Sequence, residues 1–240
     1  MIKLAVCGAA GRMGSRIIAL AKLDKAISVN LALERPNFSK EAVQVEGIRI
    51  TDEIDKLSDV DCVIDFSQPG ATLEHLKKCV SFKKPMVIGT TGFSEQEVGL
   101  IKEASKTIPI VFSPNMSIGV NVVFKVLKDL ASTLKGYQIK IIEAHHTHKK
   151  DAPSGTAKKI AQIIENASGS KVSGIESIRE GEIVGDHEII FDAEFDTITL
   201  KHSAKSRDIF ASGALAAAKW VINKKKGLFS MEDCIFNHEK

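Results

Sequence analysis

The stretch Ile2-Lys-Leu-Ala-Val-Cys-Gly8-Ala-Ala-Gly11-Arg-Met-Gly14 decides the fold of this 240-residue chain. Its first six residues form an apolar run typical of a buried strand, and residues 12–24 carry apolar side chains at helical spacing. The glycines between them, spaced GxxGxxG, allow a tight turn and close approach of the backbone to a pyrophosphate at a helix N-terminus. The stretch therefore predicts a dinucleotide-binding βαβ unit. The alternative is a glycine-rich turn that only packs a helix on a sheet.

Two charged residues after the next apolar run extend this prediction. Glu34 follows the run Ile27–Leu33, 20 residues after Gly14, where an acidic residue usually binds the ribose hydroxyls of NAD. Arg35 offers a guanidinium for a 2′-phosphate, although an exposed loop charge is the alternative interpretation. Together the two residues predict that both NADH and NADPH are used as cofactors.

The pattern of apolar runs predicts two kinds of sheet. Up to residue 112, strand-like runs at 61–66, 85–89 and 108–112 alternate with helical stretches at 69–80 and 94–106, which is typical of βαβ units in a parallel sheet. After residue 117 the strand-like runs alternate polar and apolar side chains, which favours an open-faced antiparallel sheet. These later elements are helices at 119–134 and 154–166, strands at 137–144, 175–179, 183–191 and 195–202, and an Ala-rich helix at 208–225 that stops near Gly227. The last helix is compatible with packing on either part.

Composition excludes several classes of protein. The chain has 33 basic and 30 acidic residues, and a net charge of +3 is too small to support nucleic-acid binding. Its four cysteines form no CxxC pair, and no window offers the roughly 18 uncharged apolar residues of a membrane span. We therefore expect a soluble cytoplasmic protein that binds neither nucleic acid nor a membrane.

Two further segments follow predicted strands of the first part. They are Gly89-Thr90-Thr91-Gly92 and Ser113-Pro114-Asn115-Met116. Ligands of open α/β sheets bind at the carboxyl ends of the strands, where hydroxyl and amide groups suit a nicotinamide ribose and its carboxamide. Either segment alone is also compatible with an ordinary turn.

The densest group of polar side chains is Glu143-Ala-His145-His146-Thr147-His148-Lys149-Lys150-Asp151-Ala-Pro-Ser154-Gly155-Thr156. A metal site is one interpretation, but strand alternation sends His145 and His146 to opposite faces, so we expect no metal. A surface loop is the second. The third is an acid–base and anion site, because His titrates near neutral pH, Lys donates protons, and a helix capped by Ser154 directs N–H groups at a dicarboxylate.

In their order along the chain, the motifs resemble the 4-hydroxy-tetrahydrodipicolinate (dihydrodipicolinate) reductase family of diaminopimelate and lysine biosynthesis. The resemblance covers the full length and is carried by residues 8–14, 65–67, 89–92, 143–146, 149, 151–157, 207 and 210–214. It implies an N-terminal Rossmann domain of residues 1–116 and 208–240 and a C-terminal α+β domain of residues 117–207 with a mixed or antiparallel sheet. It also implies a homotetramer built through that second sheet. Two linked domains in turn imply closure over the substrate, with hinges near 116–117 and 206–208.

The resemblance also assigns roles to single residues. It implies that His145 is the acid–base residue and Lys149 the proton donor, and that His146, Ser154, Gly155 and Thr156 bind the substrate carboxylates. The nucleotide is expected at Gly8, Ala9, Ala10, Gly11, Arg12 and Met13, at Glu34 and Arg35, at Gly89, Thr90 and Thr91, and at Ser113, Pro114, Asn115 and Met116. Thr147 stands where the family often carries Arg, which removes one basic group from around the substrate.

The implied reaction is hydride transfer from NADH or NADPH to a cyclic imine dicarboxylate, after loss of water from the hydroxy form, giving tetrahydrodipicolinate. Two alternatives remain at this point. One is a dehydrogenase of another small amino or imino dicarboxylate, such as aspartate. The other is a nucleotide-sensing Rossmann protein, which needs the glycine loop but not the His and Lys residues.

Overall fold

A computed structural model of the chain describes residues 1–36, 38 and 44–236. It divides into two compact units, here called the first unit, Met1–Ile118 with Asp208–Lys240, and the second unit, Gly119–Arg207. None of the helices in this part of the chain has the length and apolar character that crossing a bilayer requires.

The elements follow one another in the order β1 Ile2–Cys7, α1 Arg12–Ala21, β2 Ile27–Leu33, β3 Gln44–Val45, β4 Ile48–Thr51, a 3₁₀ helix Ile54–Asp59, β5 Cys62–Asp65, α2 Pro69–Phe82, β6 Met86–Ile88, α3 Glu95–Ala104, β7 Pro109–Phe112, α4 Ile118–Thr133, β8 Gln138–His145, α5 Gly155–Ser168, β9 Gly174–Arg179, β10 Gly185–Asp192, β11 Thr197–Ala204, α6 Asp208–Val221, β12 Gly227–Phe229 and α7 Met231–Phe236.

The sheet of the first unit is covered on both faces. Its strand order is β12-β7-β6-β5-β1-β2-β4-β3, and every described pair is parallel except β3 with β4. Along β1, Leu4 and Val6 pack into one core with α1 and α6, while Ala5 and Cys7 pack into the other with α2. Two buried faces explain why these strands read as apolar throughout, and they confirm the predicted doubly wound α/β class.

The sheet of the second unit is mixed. Its order is β11-β10-β8-β9, with β10 antiparallel to both of its neighbours and β9 parallel to β8. The parallel pair follows from the intervening helix α5, because parallel strands need a crossover connection. Helices α4 and α5 pack on the face that carries Ile139, Ile141, Ile189 and Phe191. The mixed sheet confirms the predicted α+β character of this unit.

The C-terminal segment differs from the sequence prediction. The helix expected to reach Lys225 ends at Val221, and Gly227, expected as a helix stop, begins β12, which pairs with β7. Strands β12, β3 and β4 have two to four residues and, unlike the equally short β6, lie in none of the predicted apolar runs, so sequence reasoning did not find them. Helix α6 packs on α1 within the first unit.

Helix α6 packs so closely against the segment after β7 that one position requires glycine. A Cβ atom built at Gly213 would lie 1.8 Å from the carbonyl oxygen of Met116, whereas one built at Gly99 in α3 meets nothing within 4 Å. We expect Gly213→Ala to lower the free energy of unfolding by about 1–3 kcal/mol or more, because the helix must move away. Gly99→Ala, the matched control, should raise it by about 0.5–1 kcal/mol. Urea unfolding of both variants checks this, and a Gly213→Ala protein as stable as the parent would contradict it.

Candidate active site

The glycine loop between β1 and α1 is built on close backbone contacts. Gly8 has a φ of +75°, and a Cβ atom at Gly14 would lie 2.1 Å from the carbonyl oxygen of Gly8. The N–H groups of Gly8 and Ala9 donate to the carbonyl oxygen of Leu33, at 3.0 and 3.2 Å. Helix α1 then begins at Arg12, with Gly11 as its N-cap. Because the glycines carry no side chains, a phosphate group has access to the N–H groups of the first helical turn.

Glu34 and Arg35 lie at the same loop. Glu34 Oε1 accepts a hydrogen bond of 2.9 Å from the N–H of Ala10, and both residues line a cavity of about 660 Å³ together with Gly8, Ala10 and Gly11. The volume falls within the usual range for small-molecule and cofactor sites. The structure thus brings together the glycine loop and the two residues predicted to read the adenosine ribose. The same cavity is lined by two more carboxylates, Asp52 and Glu74, and by His75.

Asp65 organises a buried network that sequence reasoning did not anticipate. Its Oδ1 accepts from the N–H and hydroxyl of Ser67 and from the hydroxyl of Thr72, and its Oδ2 lies 2.6 Å from Nδ1 of His75. A Cβ atom at Gly8 would lie 2.8 Å from the carbonyl oxygen of Phe66, so the segment after Asp65 forms one wall of the loop. The motif 65–67 was visible in the sequence, but its partners were not.

The two segments expected at the nicotinamide follow neighbouring strands. Ile88 of β6 is in register with Phe112 of β7, so Gly89–Thr91 and Ser113–Met116 lie at the same edge of the sheet, outside the lining of the described cavity. The Thr90 hydroxyl lies 3.2 Å from Oδ1 of Asp65, and the Ser113 hydroxyl donates to the carbonyl oxygen of Asn115 at 2.8 Å. The remaining members divide by exposure: Thr91 and Pro114 are exposed, and Met116 is in the core.

In the second unit, the buried face of the sheet changes from apolar to polar side chains along the strands. The buried positions of β8 are Ile139, Ile141, Glu143 and His145, in strict alternation. The period of two that directs the two isoleucines into the core therefore directs Glu143 and His145 to the same face. On β10 the corresponding buried positions run from Phe191 and Ile189 to His187 and Gly185. Two neighbouring strands thus place an apolar core at one end and a polar site at the other.

Glu143 is completely buried and satisfies its charge with several donors. Oε1 accepts from Nη2 of Arg179 at 2.8 Å and from the N–H of Ser154 at 3.2 Å, and Oε2 contacts Nδ1 of His145. Burial alone raises the pKa of a carboxyl group, but hydrogen bonds from Arg179, Ser177 and His145 outweigh it and lower the pKa of Glu143 to about 2. The carboxylate is therefore ionised at neutral pH.

His145 is held between Glu143 and His187. The rings of the two histidines meet edge to face, with centroids 5.3 Å apart. Burial lowers the pKa of His145, the Glu143 carboxylate opposes this, and the charge of Lys149 adds to it. A Cβ atom at Gly185 would lie only 3.1 Å from Nε2 of His145, so glycine leaves room for that nitrogen. The ring is thus fixed on one side and has space on the other.

Lys149 lies in the loop after β8, paired with Asp151 at 2.8 Å. The Lys149 ammonium lowers the pKa of the Asp151 carboxyl group. The same Nη2 of Arg179 that contacts Glu143 also donates to the carbonyl oxygen of Asp151 at 2.6 Å. One guanidinium thereby connects the strand of His145 with the loop of Lys149.

Three of the four residues expected to bind carboxylates form the start of α5, and the fourth, His146, follows β8. The hydroxyl of Ser154 caps the helix by accepting from the N–H of Ala157 at 3.1 Å. Gly155 is exposed with nothing within 4 Å of a Cβ position, and Thr156 follows it in the first turn. His146 has a buried Nδ1 for which no protein partner is found. Sequence reasoning missed Arg179 and His187. For His187 a usable signal was present, because it takes the place of an apolar residue in the alternation of β10, whereas β9 shows no alternation that singles out Arg179.

Within residues 1–36, 38 and 44–236, three candidate metal-ligand atoms lie within 4.8 Å of one another only at Cys7, Asp65 and His75, in the first unit. Burial raises the pKa of the Cys7 thiol, so the thiol keeps its proton. The residues of segment 143–156 are placed for hydrogen bonds and ion pairs, which favours the acid–base interpretation of that segment over the metal one.

The buried His187 makes the second unit sensitive to acid. Burial, followed by the charge of His145, lowers the pKa of His187 from 6.5 to about 4. Between these values the unfolded chain binds a proton that the folded chain does not, so stability falls as the pH drops from about 6.5 to 4, by about 3 kcal/mol in total. We expect His187→Gln to remove this part of the pH dependence in urea unfolding at fixed protein concentration. The exposed His148→Gln should leave it unchanged, and an unaltered slope in His187→Gln would refute the assignment.

Comparison with known proteins places both units in one family. The family model described as Dihydrodipicolinate reductase, N-terminus, matches residues 2–116, and the one described as Dihydrodipicolinate reductase, C-terminus, matches residues 119–235. The 4-hydroxy-tetrahydrodipicolinate reductase of Geobacter metallireducens is 41% identical, and that of Geotalea daltonii 40%, each over 98% of this chain and 99% of the relative.

A solved structure agrees in fold. The dipicolinate-bound dihydrodipicolinate reductase from Paenisporosarcina sp. TG-14 superimposes with a TM-score of 0.80 at 23% sequence identity, covering 96% of this chain and 97% of that one. The Rossmann-type first unit, the site residues of the second and the near full-length relatives lead to one conclusion. The chain belongs to the 4-hydroxy-tetrahydrodipicolinate reductase family.

Proposed function

We propose that the chain reduces 4-hydroxy-tetrahydrodipicolinate, by way of dihydrodipicolinate, to tetrahydrodipicolinate with NADH or NADPH. The observation that carries the proposal is the buried Glu143–His145 pair, with Lys149 following in its loop, in a chain whose first unit has a nucleotide-type glycine loop. A nucleotide sensor needs only the loop. The polar end of the second sheet is built for proton chemistry, which favours an enzyme.

The first unit binds the cofactor, which supplies the hydride when bound. Residues Gly8, Ala9, Ala10, Gly11, Arg12 and Met13 hold the pyrophosphate, and Glu34 and Arg35 read the adenosine ribose. Gly89, Thr90 and Thr91, with Ser113, Pro114, Asn115 and Met116, hold the nicotinamide side. The buried side chain of Met116 leaves its backbone for that contact. These assignments rest on the placement of the segments at the carboxyl ends of β1, β2, β6 and β7.

The second unit binds the substrate and moves protons. His146, Ser154, Gly155 and Thr156 bind the carboxylates, because the N-terminus of α5 offers N–H groups and the positive end of the helix dipole. Lys149 donates the proton that completes the reduction, and His145 exchanges protons as acid and base. No metal takes part in this scheme. Thr147, where the family often has Arg, contributes its N–H to the carbonyl oxygen of Gly181.

We further propose the organisation that accompanies this function. The cofactor domain comprises residues 1–116 and 208–240, and the substrate and oligomerisation domain comprises residues 117–207. The sheet of the second domain forms a cytoplasmic homotetramer. The partners are small molecules, with neither nucleic acid nor membrane among them.

The reaction is tested by mixing the purified protein with the synthase that makes its substrate from pyruvate and aspartate semialdehyde. Oxidation of NADH or NADPH that depends on the synthase is expected. Oxidation with aspartate or another amino dicarboxylate, but not with the synthase product, would favour the alternative dehydrogenase. Nucleotide binding without any oxidation would favour a sensor.

His145→Gln and Lys149→Ala should each lower kcat by about 10²–10⁴-fold, the range for a positioned acid–base group. The affinity for NADH, measured by fluorescence titration, should stay unchanged because the glycine loop lies in the other unit. Lys150→Ala removes an exposed neighbouring charge and serves as the matched control. Near-normal turnover in both of the first two variants would exclude the assigned roles.

Glu34 is expected to select the cofactor. Glu34→Ala should weaken NADH more than NADPH, since the carboxylate accepts from the ribose hydroxyls but repels a 2′-phosphate. Glu34→Gln keeps an oxygen for the N–H of Ala10 while removing the charge, so it should improve NADPH relative to NADH. Dissociation constants for both nucleotides measure the effect. Equal changes for the two nucleotides would show that Glu34 takes no part in selection.

A further inference from the structure

The two oxygens of the buried Glu143 carboxylate have different kinds of partner. Oε1 accepts from Nη2 of Arg179 and from the backbone N–H of Ser154, at 2.8 and 3.2 Å. Oε2 contacts Nδ1 of the His145 ring. These partners come from β9, the start of α5 and β8, and the hydroxyl of Ser177 on β9 is a further donor to the carboxylate. The carboxylate is therefore oriented by groups other than the histidine it contacts.

The donors at Oε1 cannot become acceptors. A guanidinium carries only donors and keeps its proton at any ordinary pH, and a backbone N–H has no lone pair to offer. An ionised carboxylate can only accept, so the hydrogen in the contact between Oε2 and Nδ1 must come from the ring. In neutral His145, Nδ1 then carries the hydrogen and Nε2 carries the lone pair.

We propose that Glu143 is a positioning residue that fixes the tautomer of His145, and that Arg179 holds the carboxylate in the orientation this requires. Nε2 becomes the one ring nitrogen able to take a proton from a reacting molecule or return it. Gly185 keeps space beside that atom, since a Cβ atom there would lie 3.1 Å from it. This rests on the proposed function for its catalytic meaning, but the tautomer itself is a property of the protein alone.

The other groups around the ring are compatible with this role. The titratable and charged groups near His145 are Glu143 on its own strand, Arg179 on β9, His187 on β10 and Lys149 in the following loop. His187 Nε2 lies 3.3 Å from the hydroxyl of Ser154. Nδ1 of His145 is already occupied by Glu143, and the ring contact with His187 is edge to face. Among these groups of the described residues, Glu143 is the one that contacts Nδ1, and its carboxylate therefore sets where the ring hydrogen resides.

The substitution Glu143→Gln should reverse the tautomer. A glutamine side chain has one oxygen and one NH₂ group in place of the two oxygens. Arg179 and Ser154 both donate to the position of Oε1, so the amide oxygen takes that position. The NH₂ group then faces Nδ1 of His145, which must accept, and the ring hydrogen moves to Nε2. A carboxylate that orients a catalytic histidine acts in the same way in serine proteases, where the amide substitution gives the wrong tautomer.

The experiment is ¹⁵N NMR of ring-labelled histidine in the intact protein, with His145→Gln used to assign the signals. We expect the parent to show Nδ1–H at neutral pH and Glu143→Gln to show Nε2–H. Turnover of Glu143→Gln should fall by about 10²–10⁴-fold with KM changed little, because a wrongly placed proton removes the acid–base contribution. Glu176→Gln, which breaks an exposed ion pair with Lys140 on the same sheet, should change neither the spectrum nor kcat.

Two results would overturn the inference: Nε2–H in the parent, or an unchanged tautomer in a folded Glu143→Gln protein, whatever its activity. The parent spectrum alone decides the first, even when the variant fails to fold. Failure of the proposed function would give other results. The parent would show no synthase-dependent oxidation of NADH or NADPH, or His145→Gln would keep full activity, and neither result depends on the tautomer seen in the ring spectrum.

Discussion

The second unit depends on one buried charge. The Glu143 carboxylate has no solvent contact, and an isolated carboxylate in such a place costs several kcal/mol unless donors surround it. Its donors are the guanidinium of Arg179, the N–H of Ser154, the hydroxyl of Ser177 and the ring of His145. Meeting this one requirement brings β9 and the start of α5 to the end of β8. The position of His145 is a consequence of the same requirement.

The loop of the first unit depends on glycines, which carry no Cβ atom. Gly8 and Gly14 let the loop fold back on itself, and a Cβ atom at Gly89 would lie 2.2 Å from the Phe66 ring. Close packing of backbone against backbone leaves the start of α1 accessible, and Asp65 holds the neighbouring segment through Ser67 and Thr72. The two units thus shape their candidate sites by different means. Glycines without Cβ atoms shape the loop of the first unit, and donors around a buried carboxylate shape the site of the second.

Local patterns along the chain were enough for much of the architecture. Alternation and helical spacing predicted the main strands and helices of both units to within a few residues, because side-chain period follows directly from backbone geometry. The glycine loop and Glu34 were also predicted, since their spacing lies within one βαβ unit. The short strands β3, β4 and β12 were not, because their pairing depends on neighbours and not on a period. Arg179 and His187 were missed for a similar reason: Arg179 meets Glu143 from 36 residues away along the chain.

The sequence by itself determined the fold class, the place of the glycine loop and the polar segment 143–156, which we propose carries the acid–base residues. It did so because each of these features depends on residues that are close together along the chain. The tertiary structure decided which groups satisfy Glu143, which ring nitrogen of His145 is engaged, and that α6 packs beside α1. Those outcomes depend on strand register and on helix packing between distant segments, where the free energy of burying a charge or of closing a gap selects one arrangement.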